Sequence, residues 1–155
     1  MPTGYNFSER VRHILYNAKS EADMLGQSSV APEHILLALL KEPDGVASGV
    51  LQNLNVDVDR VKKDIEREVP RAAGGSGALA DALPYTDEAK AVLERTVEEA
   101  KTMLHGYVGT EHLLLGLLNS NGTVPARLLA EQGLTADGVS AETMRLLGPP
   151  PERAD

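Results

Sequence analysis

The stretch VAPEHILLALL at residues 30–40 decides the fold, because it returns as VGTEHLLLGLL at residues 108–118. The same offset of 78 positions (108 − 30) runs through both copies without a gap. Self-similarity at one fixed offset is typical of a tandem repeat, in which each copy is one structural unit. We therefore predict repeat 1 at about residues 5–69 and repeat 2 at about residues 85–148.

Two further segments complete the single domain that we predict over residues 1–155. Residues 70–84 lie between the copies and are rich in Gly, Ala and Ser between two prolines, a composition typical of a flexible linker. Residues 149–155 begin with three prolines and are predicted to form a stiff terminal tail. A chain of this length buries roughly 70% of its unfolded surface, which is enough for a core without disulfides or metals.

Apolar residues in each copy recur at the spacing of a helix, and no stretch alternates as a strand does. Each copy is predicted to form four helices, and the first and fourth of these begin at good N-cap residues, namely Ser8, Thr86, Asp57 and Thr135. The second helix of each copy is apolar on every side after its first turn, which predicts burial at the centre of its repeat. The predicted fold class is all-α, with eight helices in two tandem four-helix repeats related by a pseudo-two-fold axis.

The composition excludes several classes of protein. The 155 residues include 23 acidic and 15 basic ones, for a formal net charge of −8, so the chain lacks the basic surface that binds nucleic acids and anionic membranes. It contains no cysteine, which excludes disulfides, thiolate zinc sites and cysteine nucleophiles. With no apolar run of about 18 residues and no signal-peptide pattern, the protein is expected in the cytoplasm.

Sequence motifs for catalysis and cofactor binding are missing as well. The chain has no GxxxxGK[ST] or GxGxxG motif for phosphates and no GxSxG motif for a nucleophile. The glycine-rich GGSG at residues 74–77 has no lysine and fits the linker. No HExxH pair occurs among the four histidines, His13, His34, His105 and His112. We therefore predict no catalytic residue, no cofactor and no metal site.

The dipeptide Glu-His occurs once in each copy, at residues 33–34 and 111–112, and it admits two interpretations. In one, each acid complements the dipole of its helix, and each histidine makes a local hydrogen bond beside the core. In the other, each acid is partly exposed near the start of its own repeat's first helix. A carboxylate there, beside Ser8 or Thr86 and the N–H groups of a helix start, could hold a guanidinium and a phosphate together. The residues alone leave both interpretations open.

Both copies resemble the Clp N-terminal repeat, the double motif that heads the ClpC, ClpA and ClpB unfoldases. The resemblance covers about residues 5–148. It rests on the openings of the copies, FSER at 7–10 and YTDEAK at 85–90, and on PEHILLALL at 32–40 and GTEHLLLGLL at 109–118. The second copy is most similar to the ClpC form. Two matched copies 78 residues apart make the resemblance specific.

The resemblance implies a non-catalytic module that binds substrates and adaptors of the Clp proteolytic system. For ClpC-type domains it also implies two pockets for phosphorylated arginine, a mark for degradation. By position, Glu33 and Glu111 would bind the guanidinium, while Ser8 and Thr86 would bind the phosphate. Pro32 stands where the family has a threonine and supplies no cap oxygen, so we expect the weaker pocket in the first copy.

The resemblance also implies a site for cyclic-peptide antibiotics, which relatives of this type bind between the openings of the two repeats. By position, that site would use Arg12, Tyr85 and Lys90. Gly4 stands where those relatives have an aromatic residue, so the match is incomplete at this point.

Two roles in the Clp system follow from the resemblance. A ClpC subunit continues into two ATPase modules, so the chain is expected either to act alone as a decoy or adaptor or to be the head of a ClpC unfoldase. The alternative is a structural accessory subunit that docks on the Clp protease or its unfoldase, with ClpC or ClpP subunits as its partners.

Overall fold

The computed structural model describes residues 6–69 and 83–148, in which eight helices form two matching sets of four. Repeat 1 contains β1 (Asn6–Phe7), α1 (Glu9–Met24), α2 (Pro32–Lys41), α3 (Val46–Asn53) and α4 (Val58–Glu68). Repeat 2 contains α5 (Asp87–Thr102), β2 (Tyr107–Val108), α6 (Thr110–Leu118), α7 (Val124–Glu131) and α8 (Ala136–Leu147). The predicted all-α class with two four-helix repeats is confirmed. Residues 70–82 of the predicted linker and the predicted tail lie outside the described residues. None of these eight helices combines the length and the apolar character needed to cross a membrane.

Side chains that the sequence marks as N-caps start the first and last helix of each repeat. The Ser8 hydroxyl oxygen accepts a hydrogen bond at 3.2 Å from the N–H three residues further on, and the Thr86 hydroxyl oxygen does so at 3.0 Å. Asp57 and Thr135 cap α4 and α8 in the same way. Each cap satisfies an N–H that has no partner inside the helix and contributes about 1 kcal/mol to stability.

The central helices α2 and α6 are buried, as their uniformly apolar sequences predict. Every residue of α6 is buried, and in α2 only Glu33 and Lys41 are not. The two helices pack against the first helices, α1 and α5, and against each other. Apolar side chains of both repeats therefore merge into one shared core.

The opening of each repeat pairs with the segment just before the second helix of the other repeat. Strand β1 runs parallel to β2 with Phe7 opposite Val108, and the Ser8 N–H donates to the Val108 carbonyl at 2.9 Å. The matching contact joins the segment before α2 to the opening of repeat 2 and is a parallel bridge between Val30 and Tyr85. The prediction of no strand was wrong here, because a two-residue strand is too short to show alternation. The first helix of each repeat thus begins beside the central helix of the other.

One helix receives its N-cap from the other repeat. Helix α3 follows Gly45, which has a φ of +112° and no side chain to act as a cap. Thr110, at the start of α6, reaches across, and its Oγ1 accepts from the Ala47 N–H at 3.0 Å. In the other copy, Thr123 occupies the position of Gly45 and caps α7 itself, while Pro32 occupies the position of Thr110. One threonine therefore caps the third helix of each repeat, Thr110 for α3 and Thr123 for α7. Proline is tolerated at position 32 because α7 does not need a cap from there.

Thr110→Val is expected to lower the free energy of unfolding by about 1–2 kcal/mol, because it leaves the buried Ala47 N–H without an acceptor. Thr110 is 4% exposed, and valine keeps its shape. Urea unfolding compares this variant with Thr102→Val, which changes an exposed threonine on α5 and should stay within about 0.5 kcal/mol of the wild type. Equal stability of Thr110→Val and the wild type would show that this cap contributes nothing.

Candidate functional site

A cleft of about 970 Å³ opens where α1 of repeat 1 begins beside α6 of repeat 2. We call it the Ser8–Glu111 cleft, after two of the residues that line it. The charged side chains that line it carry both signs, and they are Arg10 and Arg12 together with Glu9, Glu42 and Glu111. A cleft of mixed sign suits a ligand group that is both anionic and cationic.

Ser8 lines the cleft as the N-cap residue of α1. Because the Ser8 oxygen accepts the cap hydrogen bond, its hydroxyl proton remains available to an anion. First-turn N–H groups of a helix have no partner within the helix, and the helix dipole adds partial positive charge at the same place. Arg12 lines the cleft four residues further along α1. The start of α1 is therefore suited to bind a phosphate or a carboxylate.

Glu111 was predicted to be a partly exposed acid, but it is only 2% exposed. Its Oε2 accepts a hydrogen bond from the Tyr107 hydroxyl at 2.9 Å. Its carboxylate also lies over the backbone of Gly109, where a Cβ would be 2.9 Å from the Glu111 carboxyl carbon. The prediction was wrong because the Tyr107 hydroxyl donates to the carboxylate, and because Gly109 has no side chain that would occupy the space of the carboxylate.

Glu33 is half-buried, as predicted, at the pseudo-equivalent place in repeat 1. The Thr86 N–H donates to the Val30 carbonyl at 2.9 Å, so α5 begins beside the start of α2. We call this region the Thr86–Glu33 end. Burial raises the pKa of Glu33, its own backbone hydrogen bond opposes that rise, and the charges of Glu88 and Glu68 add to it. Negative charge thus accumulates around Glu33, which favours the binding of a cation.

The predicted site residues pair across the two repeats. Ser8 of repeat 1 lines the same cleft as Glu111 of repeat 2, while Thr86 of repeat 2 begins the helix beside Glu33 of repeat 1. The prediction that each acid lies near the start of its own repeat's first helix was wrong. The reason is that the opening of each repeat pairs with the segment before the second helix of the other repeat, as β1 does with β2. No local pattern encodes such a contact between distant parts of the chain.

The residues predicted for a cyclic peptide do not all line this cleft. Arg12 does, whereas Tyr85 and Lys90 belong to the opening of repeat 2 and are not among the residues around it. Tyr85 is half-buried, with the Lys19 ammonium 5.3 Å from the centre of its ring, and Lys90 is exposed on α5. Arg12 and Lys90 are equivalent positions of the two copies, so each belongs to the opening of its own repeat.

A cluster of two buried histidines and the exposed Tyr107 in repeat 2 was not predicted from the sequence. The rings of His105, Tyr107 and His112 pack together, with Tyr107 stacked on His105 at 5.3 Å between ring centres. His105 Nδ1 lies 2.7 Å from His112 Nε2, and the Gly109 N–H donates to His112 Nδ1 at 2.8 Å. Repeat 1 has neither a histidine nor an aromatic residue at the two matching positions. That divergence, next to a Glu-His that both copies share, was the signal that could have found the cluster.

The Glu-His histidines make the predicted local hydrogen bonds in both copies. The Ala31 N–H donates to His34 Nδ1 at 2.9 Å, which matches the bond from Gly109 to His112. In each case the bond satisfies the N–H of the residue before the helix, because neither alanine nor glycine has a side chain that could do so. The first interpretation of the dipeptide therefore holds for its histidine, and the role of the acid is a separate question.

His105, Glu111 and His112 bring potential metal-ligand atoms within 4.8 Å of one another. The hydrogen bonds argue against a metal ion at this place. Because His112 Nδ1 accepts the Gly109 N–H, the neutral ring carries its proton on Nε2, the atom that faces His105. That nitrogen donates to His105 and has no lone pair to offer a metal. We therefore interpret the cluster as a chain of hydrogen bonds.

Acid is expected to destabilise the protein through His112. Burial, followed by the nearby charge of His105, lowers the pKa of His112 to about 4 from 6.5. Since the unfolded chain regains the higher pKa, it binds a proton between these pH values that the folded chain does not bind. The contribution to stability is complete above pH 6.5, and about 2–3 kcal/mol of it should be lost between pH 7 and pH 4.5.

Urea unfolding at several pH values measures the slope of the free energy of unfolding against pH. His112→Asn should flatten it, because asparagine can still accept the Gly109 N–H but does not titrate. The control is His13→Asn, which changes an exposed histidine on α1 and should leave the slope as it is. Identical slopes in the wild type and in His112→Asn would contradict the assignment.

The sequence of this domain matches a known protein family over nearly its whole length. The model of the Clp repeat (R) N-terminal domain matches residues 6–132 and 91–154. The chain belongs to the Clp N-terminal repeat family. The ATP-binding subunit ClpC of the ATP-dependent Clp protease from Staphylococcus aureus is 38% identical over 143 residues, which are 92% of this chain and 17% of ClpC. This Clp N-terminal domain therefore spans about a sixth of that relative's length.

Solved structures share the fold of this Clp N-terminal domain. The N-terminal domain of Hsp104 from Candida albicans matches with a TM-score of 0.73 at 20% identity, over 97% of this chain and 95% of that one. A ClpV N-domain in complex with a VipB peptide matches with a TM-score of 0.73 at 18% identity, over 96% of this chain and 91% of that one. At these identities the likeness concerns the fold.

Proposed function

We propose that this Clp N-terminal domain is a recognition module with no catalytic activity of its own, which binds protein substrates or adaptors of the Clp proteolytic system. The observation that carries the proposal is the Ser8–Glu111 cleft, where side chains of both signs surround the start of a helix. The Thr86–Glu33 end offers a second, pseudo-equivalent site. The complex of a ClpV N-domain with a VipB peptide supports a peptide as the kind of ligand that this fold accommodates.

Phosphoarginine is the ligand group that fits these two sites best. Its phosphoryl group is an anion that requires hydrogen-bond donors, which the start of α1 at Ser8 and the start of α5 at Thr86 supply. Its guanidinium is a planar cation that requires carboxylate acceptors, which Glu111 and Glu33 supply. In both cases the donors come from one repeat and the acceptor from the other.

In this role the domain captures marked proteins in the cytoplasm, either alone as a decoy or adaptor or as the head of a ClpC-type unfoldase. Cyclic-peptide antibiotics are a second class of ligand. Arg12 would serve them from inside the Ser8–Glu111 cleft, with Tyr85 and Lys90 at the opening of repeat 2.

Calorimetric titration with free phosphoarginine tests the proposal, with unmodified arginine as the matched control. Phosphoarginine should bind, and arginine should bind about tenfold more weakly or worse, because it lacks the anion that the helix starts recognise. A protein that binds neither compound but is retained by immobilised ClpC or ClpP subunits would be the structural accessory subunit instead. That result would overturn the proposal.

A further inference from the structure

We infer that Tyr107 makes the two acid sites unequal: it holds the Glu111 carboxylate in place, so that a guanidinium ligand occupies the Thr86–Glu33 end first. This inference rests on the proposed function, since it concerns which of the two sites such a ligand prefers. It assigns to Tyr107 the role of a positioning residue that sets the affinity of the Ser8–Glu111 cleft.

On the repeat 2 side, Tyr107 is 40% exposed, and its ring packs against the rings of two histidines. The ring is stacked on His105 at 5.3 Å and meets the edge of His112 at 5.4 Å between ring centres. From there the hydroxyl donates to Glu111 Oε2 at 2.9 Å. A hydrogen bond to a buried carboxylate is stronger than one between neutral groups. A guanidinium that enters the cleft must therefore compete with a donor that is already in place.

On the repeat 1 side, both features that hold the carboxylate are missing. Ser29 occupies the position of Tyr107, and Ala31 occupies the position of Gly109. In repeat 2, a Cβ at Gly109 would lie 2.9 Å from the Glu111 carboxyl carbon and 3.0 Å from Oε2. A carboxylate at position 33 cannot fold back in the same way, because the alanine methyl group occupies that space. Glu33 accordingly stays half-buried and open to a ligand.

The charges around Glu33 point in the same direction. Glu88 and Glu68 both act on it as like charges, and burial together with these two raises its pKa. A cation at this place would relieve the repulsion between Glu33 and these two acids, of which Glu68 also pairs with Arg127, whereas Glu111 already accepts a hydrogen bond from Tyr107. The sequence predicted the opposite order of affinity for the two sites, because Pro32 departs from the family pattern. The proline does not leave α7 without an N-cap, because Thr123 caps that helix itself.

Tyr107→Phe tests the inference, measured by calorimetric titration with phosphoarginine in a Glu33→Gln background that leaves only the Ser8–Glu111 cleft. Phenylalanine keeps the ring stacking and removes the donor. We expect the Kd of the cleft to fall about threefold to tenfold, the range that corresponds to one hydrogen bond. An unchanged or higher Kd would overturn the inference, because Tyr107 would then be neutral or would prepare Glu111 for the ligand.

The reciprocal variant moves the two features into repeat 1. In a Glu111→Gln background, Ser29→Tyr combined with Ala31→Gly should raise the Kd of the Thr86–Glu33 end about threefold to tenfold. Ala31→Gly alone is the matched control and should leave it unchanged, because it opens the space without adding the donor. An equal effect of the control and the double substitution would overturn the role given to the tyrosine.

A readout without ligand separates this inference from the proposed function. Burial, the charge of Glu111 and the hydrogen bond to it raise the pKa of Tyr107 to about 12. The difference in ultraviolet absorbance between the wild type and Tyr107→Phe follows this phenol, which should ionise at a lower pH in Glu111→Gln. If no variant binds phosphoarginine, the proposed function fails, and equal ionisation in both proteins would in addition show that Tyr107 does not hold Glu111.

Discussion

Gly116→Ala is expected to lower the free energy of unfolding by about 2–3 kcal/mol, although alanine normally stabilises a helix by about 1 kcal/mol relative to glycine. Helices α5 and α6 pack so closely that a Cβ at Gly116 would lie 3.0 Å from the Cα and the backbone nitrogen of Thr96, and closer still to its hydroxyl. Thr96 is fully buried, and its hydroxyl donates to the Val92 carbonyl at 2.8 Å, so it cannot turn away. Urea unfolding measures the loss.

Repeat 1 shows how this loss can be compensated. Ala38 occupies the position of Gly116 there, and Ala18 occupies the position of Thr96. Adding Thr96→Ala to Gly116→Ala should therefore recover at least about 1 kcal/mol. The control is Gly49→Ala on α3, where a Cβ would lie 3.4 Å from its nearest neighbour, and it should stabilise the protein by about 0.5–1 kcal/mol. A Gly116→Ala protein as stable as the wild type would mean that α5 and α6 pack less closely.

Glu33→Gln is expected to weaken the binding of phosphoarginine about tenfold or more, because a hydrogen bond between two charged groups is worth about 1.5–3 kcal/mol. It should change stability by less than about 1 kcal/mol, since Glu33 is half-exposed in the first turn of its helix. Calorimetric titration and urea unfolding of the same preparations measure the two effects. The matched control is Glu94→Gln, which removes an exposed acid from α5.

The outcome separates the two interpretations of the repeated Glu-His. If Glu33 only complements the helix dipole, Glu33→Gln would cost a few tenths of a kcal/mol of stability, and phosphoarginine would bind Glu33→Gln and Glu94→Gln equally well. If Glu33 binds the ligand, the two variants differ in affinity and hardly in stability.

Local patterns were enough to predict the helices of this domain. Ser8 and Asp57 mark helix starts because an N-cap acts on an N–H only three residues away. The burial of α6 follows from a stretch that is apolar on every side. Each of these features is contained within a few turns of chain, so one sequence and its internal copy carry enough information.

The arrangement of the site could not be predicted in the same way. Ser8 and Glu111 are 103 positions apart (111 − 8), and they line the same cleft because the opening of repeat 1 pairs with the segment just before α6. Glu111 accepts a hydrogen bond from Tyr107, and repeat 1 has Ser29 at the matching position, so the features that the two copies share do not include this contact. Pro32 looked like a defect of its pocket because the cap from Thr123 is visible only in the folded domain.

The crossed arrangement of the two sites is tested most directly by Ser8→Ala in two backgrounds, with the Kd of phosphoarginine measured by calorimetric titration. In Glu33→Gln, where the Ser8–Glu111 cleft remains, Ser8→Ala should raise the Kd about threefold to tenfold, because it removes a donor to the phosphate. In Glu111→Gln, where the Thr86–Glu33 end remains, the same substitution should leave the Kd unchanged. The reverse result, a loss in Glu111→Gln and none in Glu33→Gln, would place Ser8 with Glu33 in one repeat and contradict the crossed site.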